Sequence, residues 1–212
     1  MIKEVLNIIV ERREWFLELL GKHVMLAGTA ILLAGTIGLI LGILINQYQK
    51  ASPIVLSIAN MLYTIPDIAM FGFLIPLTGI GNGTAIVAVT VYALLPMVRN
   101  TYAGLSSVDP AILEAAAGMG STRWQVLFRV QLPMAFCVIL AGIRNMVVMA
   151  VSITGIASFI GAGGLGSAIY RGIATNNTVL MVSGAMMIAL LAISLDILFG
   201  VLEKQVKKRW RM

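Results

Sequence analysis

The chain has 212 residues, of which 59% are hydrophobic and 11% charged, against roughly 45–50% and about 25% in a soluble domain. One core of this size cannot hide so much apolar surface, so most of it needs lipid as its solvent. The net charge of +6 owes much to the last nine positions, where Lys204, Lys207, Lys208, Arg209 and Arg211 supply five of the fifteen basic residues. A basic tail behind an apolar run anchors against anionic lipid. No aromatic-interleaved basic patch of the kind that grips nucleic acid accompanies it, and no nucleic-acid partner is expected.

Residues 1–23 are polar and charged, with Val5, Leu6, Ile9, Phe16, Leu19 and Leu20 spaced for one helical face. They read either as an amphipathic helix at the membrane surface, suited by Trp15 and Phe16, or as a simple lead-in. His23 stands where this segment meets the first apolar run and reads as an interfacial side chain rather than a metal ligand. That run, Val24–Ile45, has 22 residues without a charge, enough to span a hydrocarbon layer of ~30 Å. It is too long for the apolar region of a cleavable signal. Gly28, Gly35, Gly38 and Gly42 recur along it, and Ala34/Gly38 and Gly38/Gly42 are small-xxx-small pairs that permit close helix contact.

Pro53–Leu77 reads as the second span, with Pro66 and Asp67 near its middle, and Gly83–Val98, extended towards Tyr102, as the third. The stretch Arg99–Leu132 is more polar. Pro133–Thr154 is the fourth span, followed by a glycine-rich segment to Gly172, where a hairpin of two spans is the alternative. Cys137 is the only cysteine, so no internal disulfide can form, and it reads as a small core residue. Thr178–Leu202 is the last span, interrupted by Asp196. The fold class is therefore all-α, a polytopic membrane protein of about five helices whose termini lie on opposite faces. With the C-terminus inside, basic residues outside the spans divide 9 inside (Lys50, Arg99, Arg123, Arg129 and the tail) to 5 outside (Lys3, Arg12, Arg13, Lys22, Arg171). The positive-inside rule favours that orientation, although the N-terminal segment runs against it.

The loop from Asp109 to Pro133 carries the most information. Asp109-Pro110 is a helix start, with Asp as N-cap and Pro at the first helical position. Ala111–Ala117 favours helix, Gly118 and Gly120 stop it, and Thr122 with Gln125 fits a capping box. Two short helices with a glycine turn between them are expected, the second running to Leu132, with Pro133 beginning a new element. Such a pair outside the membrane is a rigid handle, in which Gly120 permits a tight turn. Glu114 offers a carboxylate to a basic residue of a partner, or caps the second helix.

At this point the sequence resembles the permeases of binding-protein-dependent ABC importers. Their signature is Glu-Ala-Ala, three residues, Gly, nine residues, Ile, one residue, Leu-Pro. This chain has Glu114-Ala115-Ala116, Gly120, Val130 and Leu132-Pro133 at those spacings, with Val in place of Ile. The resemblance covers about residues 24–203. It implies that the loop is a cytoplasmic coupling helix docking on an ATPase subunit through Glu114, Ala115, Ala116, Gly120, Leu132 and Pro133. It implies a complex of two ATPase subunits, a second permease copy or a related permease, and a solute-binding protein outside, set in the lipid of a prokaryotic cell membrane. ATP and Mg would sit on the ATPase, with no cofactor on this chain. Tyr63-Thr64-Ile65-Pro66, Ile75-Pro76-Leu77, Gly142-Ile143-Arg144 and Gly161-Ala162-Gly163-Gly164-Leu165-Gly166 further resemble permeases for quaternary-amine compatible solutes: glycine betaine, carnitine, choline. The last element is shared with methionine-type permeases, so a methionine or other amino-acid permease stays open.

The glycine element also satisfies the dinucleotide pattern GxGxxG, but a membrane helix precedes it and the next acid is Asp196, whereas that fold needs a strand before it and an acid about 20 residues on. The better expectation is that Gly163 and Gly164 shape an outer gate. No phosphate loop of the GxxxxGK[ST] type is present, so this chain is not the ATPase. An intramembrane enzyme lacks a polar catalytic set, and a non-transporting scaffold is the remaining rival. Asp67, Arg144 and Asp196 are candidate intramembrane charges, which normally face a bundle interior. Asp67 and Arg144 are the pathway candidates among them, while Arg144 and Asp196 also read as groups reaching water near the helix ends. Tyr63, Phe71, Phe73 and Tyr92 lie on spans and could meet a quaternary ammonium through cation–π contact, though packing is the commoner role for such rings.

Overall fold

A computed structural model describes residues 1–210, with side chains to Lys208. Among the described residues every regular element is helical. Helix α1 (Ile2–Glu11) is separated from α2 (Arg13–Gln47) by a single non-helical residue, Arg12. Segment 1–23 is thus two elements, and the first span starts ahead of its uncharged run. The reason is amphipathic: Phe16, Leu19 and His23 turn inward and are buried, while Glu18 and Lys22 pair on the outer face at 2.8 Å. Val5 is buried, and α1 packs against the first half of the chain's last helix.

The expected second span is not one helix. Helices α3 (Ser52–Thr64) and α4 (Asp67–Thr78) meet at a bend of 101°. Pro66 disfavours helical geometry at Ile65, which is extended at φ −68°, ψ 128°, and it lacks the N–H that would continue the ladder. Helix α5 (Asn82–Ser106) follows a turn with Gly79 and Gly81 at φ +79° and +109°.

Helices α6 (Pro110–Gly118) and α7 (Arg123–Val126) form the expected pair. Pro133 stands in the first turn of a new α-helix, as expected, but no break separates that helix from the pair. A π-helical stretch, Leu127–Gln131, joins α7 to α8 (Leu132–Ile156), and Arg123–Ile160 runs as one helical rod. The wider turn ahead of Pro133 accommodates a residue that cannot donate to the ladder. The glycine-rich segment then closes into a short helix, α9 (Gly166–Ala174), so 133–172 holds one span rather than two. Helix α10 (Thr178–Trp210) absorbs most of the expected 204–212 tail as its last turns; Arg211 and the side chain of Arg209 lie outside the described residues.

Among the described residues, four helices are long and apolar enough to cross a membrane, and five crossings result if the bent pair counts as one. Glycine contacts give their directions. A Cβ at Gly38 or Gly42 would lie 2.8 Å from Met97 or 2.5 Å from Thr101, so α2 and α5 run parallel in close contact. Gly142 lies against Asn100 and Gly104 against Ala135 and Val138, which makes α8 antiparallel to α5. Gly155 meets Ile188 and Gly200 meets the Arg144 guanidinium, making α10 antiparallel to α8. The core between them is small and apolar: Ala30, Ala34, Ala88, Ala93 and Ala150 are fully buried beside Tyr92, Met97 and Met146. Leu32, Ile40, Ile193 and Ile197 point away from it and are more than half exposed. Cys137 is buried, as expected.

Candidate functional site: the helix-pair loop, the glycine loop and a polar cavity

The helix pair is locally over-determined. Asp109 caps α6 by accepting from the Ala111 N–H at 2.9 Å. The Thr122 N–H donates to Gln125 Oε1 at 2.8 Å, and the Gln125 N–H returns the bond to Thr122 Oγ1 at 3.4 Å. Gly120 turns the chain between them at φ +84°, a conformation that a side chain resists. Because Thr122 and Gln125 cap α7, Glu114 does not. Its carboxylate is exposed and makes no hydrogen bond or ion pair among the described residues. Ala115 is exposed beside it, whereas Ala116 packs inward at 5% exposure. Leu127, fully buried, fastens the pair to the bundle, and Leu132 and Pro133 continue that attachment. Met119, Trp124 and Phe128 stay exposed on the outer side, with Trp124 and Phe128 stacked at 6.0 Å. The loop is therefore a rigid knob with an unpaired acid and an apolar rim.

At the opposite end of α8, Gly161, Gly163 and Gly164 all have positive φ (+78°, +83° and +76°). A Cβ on Gly164 would lie 3.1 Å from His23 Nδ1. His23 is not interfacial, as the sequence suggested; it is fully buried. Its Nε2 lies 3.0 Å from the Val151 carbonyl, and its Nδ1 accepts from the Leu165 N–H at 3.3 Å. Only the neutral Nε2–H tautomer satisfies both bonds. One imidazole thus ties α2, α8 and the glycine loop together. A lone histidine at the edge of an apolar run carried no signal of this role.

The three charges inside the spans do not converge. Arg144 pairs with Asp196, Nε to Oδ1 at 2.6 Å and Nη2 to Oδ2 at 2.7 Å, and reaches Glu203 at 3.6 Å. Asp67 sits instead at the bend, beside the Tyr92 hydroxyl. That hydroxyl also donates to the Ile65 carbonyl, which the break has released from the helical ladder. Non-helical backbone at membrane depth is tolerated where protein covers it or where it lines a cavity. Tyr92 lies ten residues into α5, about 15 Å from its start, so the bend is well inside the bundle.

Tyr63 packs edge-on against Tyr92, with centroids 6.2 Å apart and planes at 69°. It opens onto a cavity of about 530 Å³ between α3, α5, α8 and α10, which Arg99, Asn100, Asn145, Met149 and Asp196 also line. Sequence reasoning counted Arg99 as an inner-face residue outside the spans, whereas α5 continues to Ser106 and carries it within the helix, and it missed Arg99, Asn100 and Asn145 as site residues. The available signal was two adjacent polar pairs, Arg99-Asn100 and Arg144-Asn145, each set against an apolar run.

The family described as binding-protein-dependent transport system inner membrane component matches residues 34–208. The chain belongs to that family. Among curated members, it is 42% identical to the glycine betaine/carnitine/choline transport system permease protein OpuCD of Bacillus subtilis over 86% of this chain and 80% of that one. It is also 42% identical to the osmoprotectant import permease protein OsmW of Salmonella typhimurium, covering 91% and 92% of the two chains. Identity to the carnitine transport permease protein OpuCD of Listeria monocytogenes is 37%, over 96% and 92%. Among solved structures, an inward-facing form of the MetNI methionine ABC transporter superposes with a TM-score of 0.84 at 23% identity, over 92% and 98% of the two chains. That likeness bears on the fold. This transport-system membrane component is a multi-pass permease subunit, and the bend, the helix pair and the glycine loop are parts of its transmembrane domain.

Proposed function

We propose that this chain is the permease subunit of an ATP-driven importer for a quaternary-amine compatible solute of the glycine betaine, carnitine or choline type. It lies in the cytoplasmic membrane of a prokaryote, with the helix-pair loop and the C-terminus inside and the glycine loop outside. The observation that carries this reading is the knob of Glu114–Pro133: capped at both helix starts, unpaired at Glu114, and continuous with a transmembrane rod. Two ATPase subunits grip one such knob each, holding ATP and Mg themselves. A second permease copy or a related permease completes the pathway, and a solute-binding protein delivers cargo from outside. ATP-driven closure of the ATPases biases the pathway outward, and hydrolysis resets it. The solute class rests on the names of relatives at 37–42% identity.

The test is affinity purification from native membranes of the parent and of a Glu114→Lys, Gly120→Leu double variant. It is followed by ATP-dependent uptake of glycine betaine, carnitine, choline and methionine in vesicles. An ATPase should accompany the parent and be lost from the variant, and the quaternary amines should compete with one another. A well-folded parent without an ATPase would sink the importer reading, while a preference for methionine would select the amino-acid alternative.

Gly163 and Gly164 shape the outer gate. Valine at both forces β-branched side chains to positive φ, a conformation strongly disfavoured for such residues. Uptake should fall while the ATPase stays bound; unchanged uptake would remove the gate role.

A further inference from the structure

The cavity between α3, α5, α8 and α10 has an unbalanced charge. Both Asp196 oxygens are occupied by Arg144. Glu203 is shared between Arg144 at 3.6 Å and Lys207 at 2.7 Å. The acids that touch the cavity lining are therefore matched; Asp67, beside Tyr92, stands outside that lining. Arg99 is exposed towards it and makes no ion pair among the described residues. Arg99 lies seven residues before the end of α5 at Ser106, about 10 Å inside it. An unpaired guanidinium at that depth faces a watery path rather than lipid. Its planar fork suits a carboxylate, and Asn145 adds a side-chain amide beside it.

The other end of the cavity is apolar and aromatic. Tyr63 is 43% exposed, and Tyr92 covers it on one side only, leaving ring surface turned to the cavity. A quaternary ammonium, which has no hydrogen to donate, is held by such a face. Tyr63 is level with Tyr92, and Arg99 is seven residues further along α5. That separation is about 10 Å along the axis, and the flexible arginine stem shortens it towards the length of a small zwitterion.

Resting on the quaternary-amine reading above, we propose that this cavity is a subsite for the zwitterion itself, with trimethylammonium on Tyr63 and carboxylate on Arg99, and that it discriminates against a solute that is cationic only. Choline would bring a second positive charge to a cavity that already has one unmatched.

The experiment is saturation-transfer NMR on the intact permease–ATPase complex in lipid nanodiscs without binding protein. The trimethyl signals of glycine betaine and choline are recorded separately at about 50 mM, a level that reveals even weak binding. The parent should give a glycine betaine signal at least about tenfold stronger than that of choline. Arg99→Gln should reduce it to the choline level, Arg99→Lys should restore part of it, and Tyr63→Leu should weaken both, each in complexes of unchanged size. Equal parent signals, no parent signal, or glycine betaine binding unaffected by Arg99→Gln would each overturn the subsite. A parent that takes up no quaternary amine but gives the Arg99-dependent signal would sink the uptake reading and leave the subsite standing.

Discussion

His23→Ala isolates what holds the glycine loop. The substitution removes the acceptor of the Leu165 N–H, on a residue that is itself fully buried, and leaves a cavity where a side chain of 0% exposure stood. The Val151 carbonyl, inside α8, keeps its helical partner, so the uncompensated loss falls on Leu165. An orphaned buried amide costs about 1–3 kcal/mol, which corresponds to about a 5- to 150-fold rise in the opening equilibrium of the loop. Hydrogen–deuterium exchange of the purified complex reads this directly. Peptides covering 161–166 should exchange faster by about that factor, while those covering the α6–α7 pair, at the other end of the rod, stay unchanged. His23→Gln, whose amide has both a donor and an acceptor, should recover part of the protection. Unaltered exchange at 161–166 in His23→Ala would mean that packing of Leu165 alone secures the loop and that the imidazole bridge is incidental.

Two further outcomes follow from packing and charge. Gly42→Leu should separate α2 from α5, because even its Cβ would fall 2.5 Å from Thr101 Cβ; overpacking of this kind costs about 1–3 kcal/mol and should lower the thermal midpoint, whereas Gly28→Leu, with nothing within 4 Å, should not. Arg144→Met should lower the thermal midpoint more than Asp196→Leu added on top of it, since the second change removes the carboxylate left without its bidentate partner; additive losses in this double-mutant cycle would show that the pair is uncoupled.

The spans were legible because lipid imposes a simple demand, a long apolar run, and Val24–Ile45, Thr178–Leu202 and the region after Pro133 meet it plainly. The helix pair was legible because its caps are local: Asp109, Thr122 and Gln125 act within three residues of themselves. Failures occurred where a distant residue decides the outcome. Pro66 reads as the middle of a single span; it becomes a 101° bend where Tyr92, from another helix, satisfies the freed Ile65 carbonyl. Pro133 reads as the start of a separate element, but a π-helical turn before it joins that helix to the pair without a break. His23 lies 142 residues from the amide it holds, and no periodicity reports such a pairing. Arg144 and Asp196 were both visible as intramembrane charges, yet their partnership depends on the register of α8 against α10.

The unbroken helix from Arg123 to Ile160 has a mechanical meaning. Thirty-eight residues at 1.5 Å each make a lever arm of about 57 Å. One end is the knob, and the other carries the glycine loop and is pinned near Val151 by the imidazole. A tilt of about 10° about that pin, which lies about 42 Å from Arg123, would sweep the knob by about 7 Å if no joint intervenes. Short of the 3₁₀ turn at its tip, Ala157–Ile160, the joint along that arm is the π-helical turn at Leu127–Gln131. Its stiffness sets the gear ratio between the two ends, and a residue inserted or deleted there would change the stroke while leaving the α6–α7 pair and the glycine loop intact.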